Sequence, residues 1–227
     1  MTGASRGIGL AVARALSAAG ARLFCLARSG QRLDDAVASL GYSAVAVQCD
    51  LVNEQDVDRA VATILSGGDA PHALVQAAGV FPLAPFDKTP AAEFDAALRV
   101  NLLGPYRLAQ PLAARMVSRG SGHVVTIGSV ADRTAFAENV AYSASKFGGR
   151  AVHEVMREEL RATGVRVSLV SPGPVDTAIW DAIDPDHRPG FTPRARMLLP
   201  EAVADAVLFV LTRDAATNID ELRLSRT

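Results

Sequence analysis

The sequence has few of the features that mark disulfide-stabilised, membrane-spanning or nucleic-acid-binding proteins. Its two cysteines are too few for a disulfide framework and are expected to be small buried hydrophobes. No apolar run approaches the roughly 18 residues that span a bilayer, and we expect no signal peptide. The formal net charge of −1 excludes a strong electrostatic footprint for nucleic acid or an anionic membrane. These absences predict a protein of the reducing cytoplasm.

Lysine is also scarce, since Lys88 and Lys146 are the only lysines among 23 basic residues. Arginine is the default basic residue of this chain, so each lysine position stands out. The length of 227 residues and a hydrophobic content of 49% predict one α/β domain spanning residues 1–227.

Short apolar runs alternate with longer amphipathic stretches along the chain. The predicted strands are Ala21–Ala27, Ser43–Cys49, His72–Ala77, His123–Ser129, Val165–Ser171 and Ile219–Ser225. The predicted helices are Arg6–Ala19, Arg32–Leu40, Glu54–Ser66, Ala91–Arg119, Val140–Thr163 and Glu201–Thr212. Continuous Val, Leu, Ile and Ala runs are typical of strands buried on both faces. The alternation therefore predicts a Rossmann-type, doubly wound parallel sheet with helices on both faces.

A glycine-rich segment at residues 2–9, with the sequence TGASRGIG, leads directly into the first helix. Glycines permit a tight turn and close approach of the backbone to a phosphate, and the helix N-terminus supplies free N–H groups. A dinucleotide site of this kind usually has an acid at the end of the second strand, which binds the ribose hydroxyls. Here the corresponding strand is Ala21–Ala27, the first of the predicted strands named above, and it ends in Ala27, Arg28 and Ser29 without an acid. Arg28 and Arg6 are therefore predicted to hold a 2′-phosphate, which favours NADP(H) over NAD(H).

Tyr142 and Lys146 are four residues apart on a predicted helix, so they share one face and can contact a common ligand. An ammonium beside a phenol favours the phenolate, which makes tyrosine a usable proton donor and acceptor near neutral pH. Ser129 ends the strand before this helix, and Asn101 lies in an apolar helical stretch. The pair alone is suggestive, and its functional interpretation depends on the wider pattern.

Taken in order, these motifs resemble the short-chain dehydrogenase/reductase family in its short single-domain form, over nearly the whole chain. The segment TGASRGIG matches the cofactor glycine motif, and Asp50 the adenine-contacting acid. Gln76 to Gly79 resemble the family's Asn-Asn-Ala-Gly segment, and the Pro-Gly segment from Pro172 resembles the one that holds the nicotinamide end. The cofactor residues that the resemblance implies are Gly3, Ser5, Arg6, Gly7, Ile8, Gly9, Arg28, Asp50, Leu51, Ala78, Gly79, Tyr142, Lys146, Pro172, Gly173, Val175 and Thr177.

The resemblance also implies a catalytic tetrad of Asn101, Ser129, Tyr142 and Lys146. It implies hydride transfer from NADPH to a carbonyl, or the reverse oxidation of an alcohol, with Tyr142 as the general acid or base. Ser129 would orient the oxygen, Lys146 would tune Tyr142 and bind the nicotinamide ribose, and Asn101 would hold a water that relays protons to Lys146. Family members pair long helices such as Ala91–Arg119 across subunits, which implies a homodimer or homotetramer. A non-catalytic NADP-binding sensor or scaffold is the alternative.

The start of the chain departs from the family pattern. Family members have an apolar strand before the Thr-Gly pair, whereas here only Met1 precedes it. In a doubly wound sheet this strand lies centrally, so we expect its neighbours to lack ladder partners and to border an open apolar groove. We expect the natural start to lie upstream; a short form with impaired folding or cofactor binding, or a strand from another chain, are the other possibilities.

Apolar residues next to the tetrad predict a small, moderately apolar carbonyl compound or alcohol as substrate. The segment from residue 172 to residue 200 is predicted to be the substrate loop. The four histidines have no metal-ligand spacing, so we assign no metal. The predicted substrate contacts are Phe81, Ala131, Asp132, Phe136, Ile179 and Trp180.

Overall fold

The computed structural model describes residues 1–28 and 30–227, in which parallel strands alternate with helices. The strands are β1 (Leu23–Ala27), β2 (Ala44–Gln48), β3 (Ala73–Gln76), β4 (Gly122–Ile127), β5 (Val165–Pro172) and β6 (Glu221–Leu224). The helices are α1 (Gly7–Ala18), α2 (Gly30–Leu40), α3 (Glu54–Leu65), α4 (Ala91–Leu98), α5 (Gly104–Arg119), α6 (Val140–Glu159) and α7 (Pro200–Leu211). This is the predicted Rossmann-type α/β fold.

All of the strand pairs are parallel. β1 pairs with β2, and β3 to β6 pair in sequence order. Thr2 joins the two sets, because it bridges Leu26 of β1 on one side and Gln76 of β3 on the other. The spatial order is therefore β2, β1, Thr2, β3, β4, β5 and β6.

Met1 and Thr2 satisfy part of the hydrogen bonding that a central strand would supply. The Leu26 N–H donates to the Met1 carbonyl at 2.8 Å, and the Thr2 N–H donates to the Val75 carbonyl at 2.9 Å. The Met1 amino group donates to the Phe24 carbonyl, and burial lowers the pKa of this amino group to about 6. We expected the neighbouring strands to lack partners here; among the described residues no strand lies between β1 and β3, and Met1 and Thr2 join them only near their carboxyl ends.

Two hydrophobic cores cover the two faces of the sheet. On one face, α1, α2 and α7 pack through residues such as Val12, Leu33 and Val207. On the other face, α3 and α5 pack through residues such as Val57 and Leu112. Burial on both faces explains why the central strands consist of continuous apolar runs.

The predicted helix Ala91–Arg119 is interrupted, which corrects the sequence-based expectation. A π-helical turn, Arg99–Leu103, separates α4 from α5, and the Gly104 N–H donates to the Arg99 carbonyl five residues back. A Cβ at Gly104 would lie 2.5 Å from the Leu51 carbonyl oxygen, so the following helix begins in close contact with that loop. An apolar period of 3.6 residues does not reveal one widened turn. No helix among the described residues is long and apolar enough to cross a membrane.

Candidate active site

The glycine-rich turn brings three backbone segments into close contact. Gly3 has a φ of +69°, and a Cβ there would lie 2.9 Å from the Ala78 backbone nitrogen at the end of β3. A Cβ at Gly9 would overlap the Gly3 carbonyl oxygen, so only glycine permits the start of α1 to pack on the turn. Gly7 has a φ of +54° and faces Thr177. Glycine is therefore required here for packing of the turn against β3 and α1, and the predicted approach of this backbone to a phosphate remains a prediction.

A groove of about 420 Å³ opens beside this turn, at the carboxyl ends of the strands. Most of the predicted cofactor residues line it, namely Gly3, Ser5, Arg6, Gly7, Ile8, Gly9, Arg28, Asp50, Leu51, Ala78, Gly79 and Thr177. The others line a second cavity that adjoins the first, namely Tyr142, Lys146, Pro172, Gly173 and Val175. Residues such as Ile8, Ala78 and Thr177 line both, so one continuous depression holds the whole predicted set.

Three arginines line the groove. Arg6 and Arg28 were predicted, and Arg32 of α2 is an addition that sequence reasoning missed. Its position in the first turn of the helix that follows β1 was the available signal. All three side chains are exposed to solvent at the groove. Ser29, the other polar residue predicted at this strand end, lies outside the described residues.

The groove fits a phosphate-bearing dinucleotide on geometric and electrostatic grounds. Among the described residues, the first turn of α1 contains no acidic residue and the Arg6 side chain makes no capping hydrogen bond. The first N–H groups of α1 and the positive end of its dipole are therefore directed to the groove. Asp50, at the predicted adenine position, accepts a hydrogen bond from the Val52 N–H at 3.1 Å, which fixes its carboxylate at the rim.

Ser129, Tyr142 and Lys146 line the second cavity together. Ser129 follows β4, whereas Tyr142 and Lys146 lie in the first two turns of α6. The Lys146 Nζ donates to the Ile127 carbonyl at 2.9 Å and lies 5.6 Å from the centre of the Tyr142 ring. The i, i+4 spacing thus places the ammonium beside the phenol ring, as the sequence predicts.

Asn101 lies in the π-helical turn, and its buried side chain is engaged by protein groups. Its Oδ1 accepts from the Val80 N–H at 2.8 Å, and its Nδ2 donates to the Val80 carbonyl and to Ser145 Oγ, each at 2.9 Å. The Ser145 hydroxyl in turn donates to the Tyr142 carbonyl at 2.7 Å. The Asn101 amide therefore links the loop after β3 to α6. The predicted water relay through Asn101 remains a prediction.

The second cavity has a volume of about 700 Å³ and largely apolar walls. Phe81 contacts Tyr142 and Trp180 edge-on, with ring centres 4.6 and 5.0 Å apart, and Trp180 contacts Phe191 in the same way. The predicted substrate residues that line it are Phe81, Ala131, Phe136, Ile179 and Trp180. Lining residues that sequence reasoning missed include Leu83, Glu138, Arg188, Phe191 and Thr192. Arg188, Phe191 and Thr192 fall in the predicted substrate loop, and that position was the only feature of the sequence that could have indicated them.

Asp132 is the one predicted substrate contact that the structure contradicts. It is 1% exposed and points away from the cavity into a network of hydrogen bonds. Arg133 and Arg150 connect this network to Glu221 of β6. Although burial opposes it, hydrogen bonds from these two arginines lower the pKa of Glu221. A charged residue close to the predicted catalytic Ser129 suggested a ligand contact, but the tertiary partners of Asp132 hold it in the buried network.

Of the cysteines and histidines among the described residues, only Cys49 lines the groove or the second cavity. Cys25 and Cys49 are buried free thiols, and burial raises the pKa of the Cys49 thiol to about 11. His123 is buried against Ser168, whereas His187 is exposed and pairs with Asp184. Among the described residues, no group of three or more His, Cys, Asp or Glu side chains is placed to hold a metal ion.

Comparison with known proteins identifies the family. The model of the short chain dehydrogenase family matches residues 1–188. The chain belongs to the short-chain dehydrogenase/reductase family. It is 33% identical to D-threitol dehydrogenase of Mycolicibacterium smegmatis, with 97% of this chain and 87% of the relative covered. Its family membership makes the chain an oxidoreductase.

Solved family structures superimpose on the whole chain. A metagenomic short-chain oxidoreductase in complex with NADP has 32% identity and a TM-score of 0.85, covering 100% of this chain and 95% of that one. The actinorhodin polyketide ketoreductase with NADPH has 26% identity and a TM-score of 0.91, covering 99% and 94%. The short-chain dehydrogenase/reductase fold therefore extends beyond the matched segment to the C-terminal strand.

Proposed function

We propose that the chain is an NADP(H)-preferring reductase of apolar carbonyl compounds, with Tyr142 as the general acid and the reverse alcohol oxidation as its microscopic counterpart. The observation that carries this proposal is the joint position of Ser129, Tyr142 and Lys146 in an apolar cavity that adjoins the arginine-lined groove. A binding protein without turnover has no need of this constellation.

The preference for NADP(H) rests on charge at the groove. Arg6, Arg28 and Arg32 line it, and a guanidinium binds phosphate through two parallel hydrogen bonds. Neither Ala27 nor Arg28, at the end of β1, offers the carboxylate that would bind the ribose hydroxyls of NAD(H). Two relatives were solved with NADP or NADPH, which supports the same choice.

The catalytic residues have distinct roles in this reduction, for which bound NADPH supplies the hydride. Tyr142 donates its phenolic proton to the carbonyl oxygen as negative charge develops there. Ser129 Oγ accepts from the Ala131 N–H at 3.1 Å, which leaves the hydroxyl hydrogen for the same substrate oxygen. Lys146 stabilises the phenolate that remains, because its ammonium lies beside the ring.

The substrate class follows from the cavity walls. Phe81, Phe136, Trp180 and Phe191 give the cavity an aromatic wall, and the ion pair of Glu138 with Arg188 adds charge to it besides that of Lys146. A cavity of this kind favours a ketone with an apolar, planar substituent over a polyol, which would leave its hydroxyl groups without partners.

Two measurements test the proposal in sequence. Cofactor fluorescence titrations are expected to give tighter binding of NADPH than of NADH, and tighter NADH binding would refute the preference. A panel containing acetophenone, cyclohexyl methyl ketone and dihydroxyacetone is then expected to give the highest kcat/KM for the aryl ketone. NADPH binding without turnover of any carbonyl would favour the sensor or scaffold alternative.

A further inference from the structure

The buried carboxylate of Asp132 lies directly behind Ser129. Its Oδ2 accepts hydrogen bonds from the Ser129 N–H at 3.2 Å and from the Ser171 hydroxyl at 2.6 Å. Ser129 Oγ reciprocates by accepting from the Ala131 N–H within the same short 3₁₀ turn. The turn that presents the Ser129 hydroxyl is thus closed from both ends, as in a helix capping box.

The charge of Asp132 is balanced inside the protein. The Arg133 Nε donates to Asp132 Oδ1 at 2.8 Å, and an Arg150 nitrogen lies 3.8 Å from the same oxygen. Both arginines also pair with Glu221 of β6, so two cations face two carboxylates. Breaking a buried ion pair is costly because it leaves an uncompensated charge, and this network therefore has one strongly preferred arrangement.

Gly128 provides the space that the carboxylate fills. A Cβ at this position would lie 2.5 Å from Asp132 Oδ2 and 2.5 Å from Ser171 Oγ. No side chain at position 128 fits while Asp132 keeps its hydrogen bonds. The carboxylate at position 132 therefore requires glycine at position 128, and the two residues lie on either side of Ser129.

We propose that Asp132 is a positioning residue that fixes the backbone and hydroxyl of Ser129, and that Gly128 is required because it accommodates the carboxylate. The inference rests on the proposed function, since it assigns Ser129 the task of binding the substrate oxygen. It also gives β6 a role beside the site: Glu221 anchors the arginines, and the Leu224 carbonyl accepts from the Gly173 N–H at 2.8 Å.

A double-mutant cycle tests whether Asp132 acts through Ser129. Asp132→Asn keeps the size of the side chain and removes its charge, and we expect kcat to fall about 10- to 100-fold through misplacement of the hydroxyl. KM for the ketone and the dissociation constant of NADPH should change less than about twofold, because the cavity and groove stay intact. In a Ser129→Ala background the same substitution should cause no further loss of kcat. Equal losses in both backgrounds would overturn the positioning role.

A second cycle needs no turnover. Gly128→Ala is expected to lower the thermal unfolding midpoint by several degrees in the wild-type chain and less in an Asp132→Ala background, where the carboxylate is gone and the Ser171 hydroxyl has lost the partner that holds it in place. Gly149→Ala is the control, since a Cβ there meets nothing within 4 Å. An equal fall of the unfolding midpoint in both backgrounds would overturn the claim that Gly128 accommodates the Asp132 carboxylate.

Amide hydrogen exchange separates this inference from the proposed function. In Asp132→Ala the Ser129 N–H loses its acceptor and should exchange faster than in the wild type, whether or not the protein turns over a carbonyl. Unchanged exchange at Ser129 would refute the positioning role. A wild-type protein without carbonyl turnover would instead count against the proposed reductase.

Discussion

The groove proposed to bind the cofactor and the cavity proposed to bind the substrate adjoin each other, but they are built from different parts of the chain. The groove is formed largely by backbone, through glycines such as Gly3 and Gly9 that permit contact distances no side chain tolerates. The cavity is formed by side chains from separate loops, with Phe81 after β3, Ser129 after β4 and Trp180 after β5.

This difference explains why the residues of the groove were easier to predict from the sequence than those of the cavity. A groove formed by backbone needs glycine at fixed spacing within a single segment, so the glycines of residues 2–9 are enough to predict it. A side-chain cavity needs only apolar groups that converge in space, and loops far apart in sequence supply them. Substitutions in the groove should therefore alter cofactor binding, whereas substitutions in the cavity should alter turnover or substrate choice.

Replacing the proton donor should give the largest effect and separates the two regions most sharply. We expect Tyr142→Phe to lower kcat about 10²- to 10⁴-fold, because the carbonyl oxygen loses its general acid. The dissociation constant of NADPH should stay within about threefold of the wild type. Steady-state kinetics and a cofactor titration on the same preparation check this, and near-normal turnover would refute the assigned role of Tyr142.

A methyl group in the backbone cradle should act on the opposite region. In Gly9→Ala the new Cβ meets the Gly3 carbonyl oxygen, so the turn has to move and NADPH affinity should fall about 100-fold. Gly149→Ala is the matched control, because it is also a helical glycine but has open space. Fluorescence titration measures both variants, and equal affinities would contradict the cradle.

His123, near the amino end of β4, should make the stability of the fold depend on pH. His123 of β4 is buried against Ser168, and burial, reinforced by the Arg166 charge, lowers its pKa to about 4 from 6.5. The unfolded chain binds a proton that the folded chain does not, so stability is complete above pH 6.5 and declines as pH falls towards 4. Between pH 7 and pH 5 this histidine should cost about 2 kcal/mol of unfolding free energy.

Urea unfolding at both pH values measures that loss. His123→Gln is the comparison variant, because it keeps a polar side chain without a titratable group in this range. The pH-dependent loss should be smaller in the variant by about 2 kcal/mol, although His153, whose pKa is also lowered chiefly by burial, contributes to both proteins. Identical losses in the two proteins would show that His123 does not have the assigned pKa.

Removing one arginine tests the electrostatic part of the groove. Arg28→Ala should weaken NADPH binding about tenfold and leave NADH binding nearly unchanged, because only NADPH carries the 2′-phosphate. Arg14→Ala, on the exposed face of α1, should change neither affinity. A parallel loss for both cofactors would mean that Arg28 supports the groove structurally.

Opening the aromatic wall should give the smallest effect. Trp180→Leu removes the edge contacts with Phe81 and Phe191, and we expect KM for an aryl ketone to rise about fivefold while KM for dihydroxyacetone stays constant. Initial-rate kinetics with both substrates decide the matter. An equal rise of KM for both substrates would indicate a general disturbance of the loop.

Much of the fold and the residues proposed for catalysis follow from local pattern. The positions of Tyr142 and Lys146 in early α6 and of Ser129 after β4 were predicted because spacing on a helix and the end of an apolar run are local properties. The π-helical turn at Asn101 was missed, since one widened turn leaves the apolar periodicity almost unchanged. Arg32 was missed because an arginine in a helix looks alike whether it faces solvent or a groove.

The sequence alone determined the alternation of strands and helices, the glycine cradle and the family, because each depends on residue types at short, fixed spacings. Tertiary structure alone decided that Met1 and Thr2 join the two halves of the sheet, and that aromatic rings from three loops line the cavity that contains Tyr142. It also turned Asp132 from a predicted substrate contact into a buried partner of Ser129. A carboxylate has the same chemistry in either place, and only packing and neighbouring charges fix where it points.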